Sequence, residues 1–167
     1  MELKPALKAL EQSDDFKVWH KNNKDTYFSY AFNIPQENPN DWQIGYYSKK
    51  KDKITTFIVS GDQIEIKPEE EVFKKEETQV KKIDLGKIKL NLDNALSSAD
   101  KFQKEKFPKD KSIKTIAILQ NIQILGNVWN ITYITEAFNT LNMKISAENG
   151  KVIEHSFSSI FSFRKPE

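Results

Sequence analysis

His20 and His155 are the only imidazoles in the chain, so any acid–base or metal chemistry would be expected to begin with them. Neither sits in an H-E-x-x-H or H-x-H pattern or in a histidine–carboxylate cluster, so the spacing that presents ligands to zinc is missing. There are no cysteines, which removes thiol nucleophiles, disulfides and thiolate-bound metals. No G-x-S-x-G turn raises a serine nucleophile, and no G-x-G-x-x-G or P-loop cradles a phosphate. The adjacent acids Asp14-Asp15 and Glu69-Glu70-Glu71 could in principle share a proton. They fall at a helix start and in a charged connector, where solvated carboxylates are the ordinary case. Catalytic residues, cofactor-binding residues and metal ligands are therefore not assigned, and the expectation is a protein that is not an enzyme and carries no cofactor.

The charge balance narrows the partners. Twenty-six basic residues face 24 acids for a net charge of +2, and Arg164 is the only arginine. Sites that grip phosphate or carboxylate with two parallel hydrogen bonds favour the arginine fork over lysine. The lysine clusters Lys49-Lys50-Lys51 and Lys74-Lys75 fall in a turn and in a connector rich in acids, so no nucleic-acid partner is expected. No apolar run approaches the ~20 residues of a membrane-spanning helix. Met1-Glu2-Leu3-Lys4-Pro5 lacks the apolar core of a signal peptide. Two locations fit: cytoplasmic, or extracytoplasmic with a membrane anchor supplied by a segment upstream of this sequence.

The elements that would position any site follow from periodicity. Leu3, Leu7 and Leu10 predict a first helix, with Pro5 tolerated in its first turn. Ser13 caps a second short helix carrying Phe16 and Trp19 on one face. The period then changes to two. Phe28, Tyr30, Phe32 and Ile34 predict a strand; Trp42, Ile44 and Tyr46 a second; residues 54–60 a third; and 63–66 a fourth after a Gly61-Asp62 turn. Residues 68–82 read as a charged connector that Val72 and Phe73 could tack down. Beyond it, Leu92, Leu96, Ala99 and Phe102 predict a helix behind Asp93 as cap, with Pro108 as its stop. Strands follow at about 115–124, 128–135, 141–147 and 151–155, with Glu148-Asn149-Gly150 as a hairpin turn.

The order of elements occurs twice. Trp42-Gln43-Ile44-Gly45-Tyr46 and Trp129-Asn130-Ile131-Thr132-Tyr133 both spell W-x-I-x-Y, 87 positions apart (129 − 42). Ala6-Leu7 answers to Ala95-Leu96 and Gly61 to Gly150, each 89 positions apart (95 − 6 and 150 − 61). Such self-similarity predicts a duplicated unit. The expected organisation is a first unit at 1–67, the connector at 68–82, and a second unit at 83–167. The fold class is α+β, with helices on one face of antiparallel strands. Trp42, Tyr46, Trp129, Tyr133 and Gly150 are expected to be structural anchors, and the aromatic tail of Phe157, Phe161 and Phe163 a candidate partner-binding segment. Asn130-Ile131-Thr132 is a formal glycosylation sequon set in a predicted strand.

These motifs resemble the PepSY domain. In the second unit, Leu92-Asp93-Asn94-Ala95-Leu96 followed by Ala99 is similar to the family's helix opening, and Trp129 to Tyr133 to its central strand. Residues 145–152, Ile-Ser-Ala-Glu-Asn-Gly-Lys-Val, resemble its V-D-A-x-T-G-K-V hairpin, with Ser146 in place of the acid and Asn149 in place of a small hydroxylated residue. The first unit keeps the tryptophan strand and a shortened Ser60-Gly61 turn. The resemblance implies two tandem PepSY-like, cystatin-like units. It also implies a non-enzymatic, envelope-associated module that engages protein or peptide partners, in an inhibitory or chaperone-like role. An open sheet edge or the aromatic tail would serve such a partner. The alternative is a carrier of a small apolar ligand or lipid, held in a cavity between helix and sheet.

Overall fold

The computed structural model describes residues 1–72 and 78–163, without the side chains of residues 162 and 163. The chain opens with two short helices, α1 (Leu3–Gln12) and α2 (Asp14–Lys21). Ser13 separates them, accepting from the Phe16 amide at 3.2 Å and donating to the Leu10 carbonyl at 2.7 Å. Four antiparallel strands follow, β1 (Thr26–Asn33), β2 (Asp41–Ser48), β3 (Lys53–Ser60) and β4 (Gln63–Ile66). A two-residue strand, β5 (Glu70–Glu71), returns to pair with the start of β3. After the connector come a 3-10 turn at Leu85–Lys87 and α3 (Leu92–Lys106). The last strands are β6 (Ser112–Ile122), β7 (Gly126–Thr135), β8 (Asn139–Ser146) and β9 (Val152–Ser159), with a 3-10 turn at Ile160–Phe163.

All nine strands belong to one sheet, in the order β4-β3-β2-β1-β6-β7-β8-β9 with β5 beside β3. Each side of it is an antiparallel meander, and the two sides meet where β1 pairs with β6. There Tyr30 to Asn33 stand opposite Gln120 to Ala117. A bulge at Ser29 reverses the alternation of β1, so Phe28 and Ala31 both turn toward the helices although they are three residues apart. The helices cover one face only. Their apolar stripes meet Ile44, Phe57, Val59, Leu119, Ile131, Leu141, Met143 and Ile145, all fully buried. Burial of this kind contributes about 25 cal/mol for each Å² of apolar surface removed from water.

Three local readings are corrected by the structure. Asn91, not Asp93, caps α3, accepting from the Asn94 amide at 2.9 Å, while Asp93 lies in the first turn. Both residue types cap well, so composition does not choose between them. The predicted connector is more ordered than its charge suggests. Within it β5 extends the sheet, and Val80 accepts a 2.6 Å hydrogen bond from the Tyr27 hydroxyl. Ile83, just past it, is buried, with its amide donating to the Phe28 carbonyl at 3.0 Å. Phe73, Lys74-Lys75 and Glu76-Glu77 lie outside the described residues. Finally, the last strand extends to Ser159, beyond the expected end at 155. It is an edge strand whose residues are mostly exposed, so its alternation is only partly written in hydrophobicity.

Candidate functional site

Of the predicted anchors, Trp42, Tyr46, Trp129 and Tyr133 stand in the core, and Gly150 lies half-buried in the turn before β9. Trp42 and Trp129 are almost completely buried, and each indole nitrogen donates to a backbone carbonyl at the start of a helical segment. Trp42 donates to Met1 at 2.9 Å and Trp129 to Leu90 at 3.0 Å. Tyr46 donates its hydroxyl to Glu11 at 2.9 Å, and Tyr133 donates to Asp100 at 2.5 Å. Burial first, then the neighbouring carboxylate, pushes both phenols well above their ordinary range. Gly150 has φ +77°, and a Cβ there would press on Leu90 Cδ2 at 3.0 Å. A buried donor without an acceptor is costly, so these bonds explain why tryptophan and tyrosine are tolerated here.

The two histidines lie far apart in the fold and serve aromatic clusters. His20 stacks on Phe16 at 5.4 Å, beside Trp19, which packs edge-on against Phe57 at 4.9 Å. His155 packs on Phe102 at 4.9 Å and on Phe107 at 5.9 Å. Among the described residues neither imidazole makes a hydrogen bond or ion pair with a carboxylate, and no group of three or more possible metal ligands converges. No helix among the described residues is long and apolar enough to cross a membrane.

The exposed candidates gather at the β9 end of the sheet. Among the described residues β9 pairs only with β8, so its eight residues form a sheet edge. Phe157 stacks nearly parallel on Phe107 at 4.8 Å while keeping 40% of its surface exposed. Phe161 is 71% exposed and lies 6.1 Å from the ring of Phe138, itself 55% exposed. The side chain of Phe163 lies outside the described residues. Phe138 was not legible as a site residue, because it falls in the β7–β8 turn away from any periodic run. Its backbone is distinctive: φ is +59°, a region that bulky residues seldom occupy. Three bonds hold it there. The Phe138 amide donates to Thr135 at 3.0 Å, its carbonyl accepts from the Ile160 amide at 2.9 Å, and the neighbouring Asn139 donates to Asp110 at 2.8 Å. The turn therefore holds an exposed aromatic ring beside another, at the end of an open strand.

The opposite edge is built differently. β4 has only four residues, and β5, beyond Pro68, adds two glutamates, with Lys51–Glu69 at 2.6 Å nearby. Short, charged edges resist strand pairing.

The sheet face away from the helices holds a second feature. A cavity of about 770 Å³ opens over the β1–β6 junction, with Phe32, Ile54, Ile118 and Ile122 among its lining and Val80 on the connector side. Between helix and sheet, where a ligand cavity is the sequence-based expectation, lie the buried core and, at the helix starts, a pocket of about 220 Å³ lined in part by Leu3, Asn94 and Trp129. Asn130 of the formal sequon is half-buried on this open face and bonded to its neighbours there.

No family model and no curated protein matches the chain. Among solved structures, a crystal structure of a protein named as a putative lipoprotein (CD1622) from Clostridium difficile 630 superposes with a TM-score of 0.56. The two are 15% identical, and the match covers 87% of this chain and 91% of that one. At that identity the likeness is one of fold.

Proposed function

We propose that this chain is a non-enzymatic, extracytoplasmic protein-interaction module built from two tandem PepSY-like units. In this reading a partner polypeptide docks along β9 and the Phe138–Phe161 pair. One observation carries it: two exposed aromatic rings sit side by side at the end of an eight-residue edge strand that, among the described residues, pairs on one side only. Extended polypeptides bind by adding a strand to such an edge, and aromatic side chains dominate the energetics of many interfaces. The duplication is supported by the equivalent anchor bonds. The acceptors Met1 and Leu90, and likewise Glu11 and Asp100, are each 89 positions apart (90 − 1 and 100 − 11). The fold likeness to a protein named as a putative lipoprotein fits a location outside the cytoplasmic membrane, with an anchor supplied by a further segment. An inhibitory or chaperone-like role toward an envelope protein follows from the PepSY resemblance.

The test is a partner co-purified from the native envelope after mild cross-linking. Phe138→Ser/Phe161→Ser should lose that partner while Val18→Ser, an exposed apolar residue on α2, retains it. Equal recovery with both variants refutes the docking site. A second reading, carriage of a small apolar ligand, is favoured by the cavity on the helix-free face.

A further inference from the structure

We propose that the groove on the helix-free face binds a single-chain anionic amphiphile, an alkyl carboxylate, with the Gln120 amide nitrogen donating to its head group. This deepens the carriage reading and rests on it.

The argument begins at Lys144, whose ammonium can only donate. It reaches Asn142 Oδ1 at 3.3 Å and Glu154 at 3.1 Å. With its oxygen so committed, Asn142 presents Nδ2 to Asn130 Oδ1 at 2.6 Å and to Thr132 Oγ1 at 2.9 Å. Asn130 in turn donates Nδ2 to Gln120 Oε1 at 2.9 Å. The lysine thus fixes the orientation of every amide across β8, β7 and β6. The row ends on Gln120 Nε2, which has no partner among the described residues. Hydrogen bonds aligned in one direction polarise one another, so the terminal N–H is a strengthened donor.

That donor belongs to a side chain lining the groove and is not sealed from solvent, so it is open to a ligand that enters there. Among the described residues the groove's charged lining side chains are Lys81 and Lys144, the latter also paired with Glu154. The oxygens of Asn142, Asn130 and Gln120 already accept. A carboxylate needs only donors, and its alkyl chain suits Phe32, Ile54, Ile118 and Ile122. The volume of about 770 Å³ falls within the roughly 300–1,000 Å³ of small-molecule sites. At the mouth, Ile124 is 96% exposed with φ +76°, a conformation β-branched residues avoid. Held there, it offers an apolar rim to an entering chain.

Calorimetric titration of the full chain with decanoate and with decanol tests both layers. Decanoate should bind about tenfold more tightly than decanol, as one hydrogen bond to a charged group implies. Gln120→Leu should erase that difference while leaving decanol affinity unchanged, and Ile124→Asp should weaken both ligands. Thermal melting of each variant checks folding; if Gln120→Leu fails to fold, Gln120→Glu takes its place and should lose decanoate while retaining decanol. Equal binding of the two ligands, unmoved by either Gln120 variant, overturns the donor assignment but leaves carriage standing. Binding of neither ligand to the unaltered chain overturns both.

Discussion

The indole rings of Trp42 and Trp129 meet at 6.2 Å, although their strands are separated by both β1 and β6. On the intervening strands Leu119 stands opposite Trp129, and the small Ala31 and Ala117 stand opposite Ile44 and Ile131, all three fully buried. The junction between the two meanders is thus held on the helix side by its largest side chains and on the backbone by only four paired positions per strand. Trp129→Ala should cost about 3–5 kcal/mol, as large-to-small core changes do. Because the rings touch, a double-mutant cycle with Trp42→Phe and Trp129→Phe should show coupling of about 0.5–3 kcal/mol in urea unfolding. Strict additivity would mean the two halves are stabilised independently.

Alkaline pH should destabilise the fold through Tyr46 and Tyr133. Both phenols are held neutral in the folded state, first by burial and then by Glu11 or Asp100. In the unfolded chain they ionise near pH ~10. Above that pH the unfolded state binds fewer protons, so stability is full below about pH 10 and falls as pH rises further. Tyr46→Phe/Tyr133→Phe should flatten this decline between about pH 10 and 11. Each single change should cost about 1 kcal/mol at neutral pH, since both carboxylates are exposed enough to rehydrate. Urea midpoints at several pH values measure both effects.

Gly45 departs from Thr132, its counterpart in the second W-x-I-x-Y phrase, for a steric reason. The Tyr30 ring lies directly over Gly45, closer than any real Cβ would allow, with its hydroxyl 2.7 Å from Thr56 Oγ1. Gly45→Ala must displace the ring and should destabilise by about 1–3 kcal/mol. In a Tyr30→Ala background most of that penalty should vanish, a pattern that thermal or urea unfolding of the four proteins would reveal.

Phe161 and Phe138 should behave unlike core aromatics. Phe161→Ser should change stability by less than about 0.5 kcal/mol, as surface substitutions do. Phe107→Ala, which removes the ring beneath Phe157 and beside His155, should cost several times more. Chemical unfolding of the two variants side by side makes the comparison.

Much of the fold is legible in the residues. The alternation of Trp42, Ile44 and Tyr46, and of Trp129, Ile131 and Tyr133, marks the strands, because one face of each must be buried. Ser13 marks a cap, and Gly150 a turn that needs positive φ. What periodicity does not carry is the pairing of β1 with β6, since strand partners are chosen by long-range packing rather than local pattern. The Ser29 bulge is similarly hidden, as nothing about that serine announces it. For the site, Phe157 and Phe161 are visible as apolar residues in an aromatic tail, whereas Phe138 is not. Its importance lies in a backbone conformation and a neighbouring ring, neither of which is encoded by spacing. The groove escaped for the opposite reason: Tyr30, Ile118 and Ile122 read as ordinary strand alternation until the helices are seen on the other face.

Site-specific photo-crosslinking in native envelopes tests the central claim most directly. A photoreactive residue at Ser156 on β9 should yield one discrete protein adduct, lost when Phe138 and Phe161 are both changed to serine. The same probe at Gln63 on β4 should yield none. Equal adducts from both edges, or an adduct at Ser156 that survives loss of both rings, would contradict docking at β9.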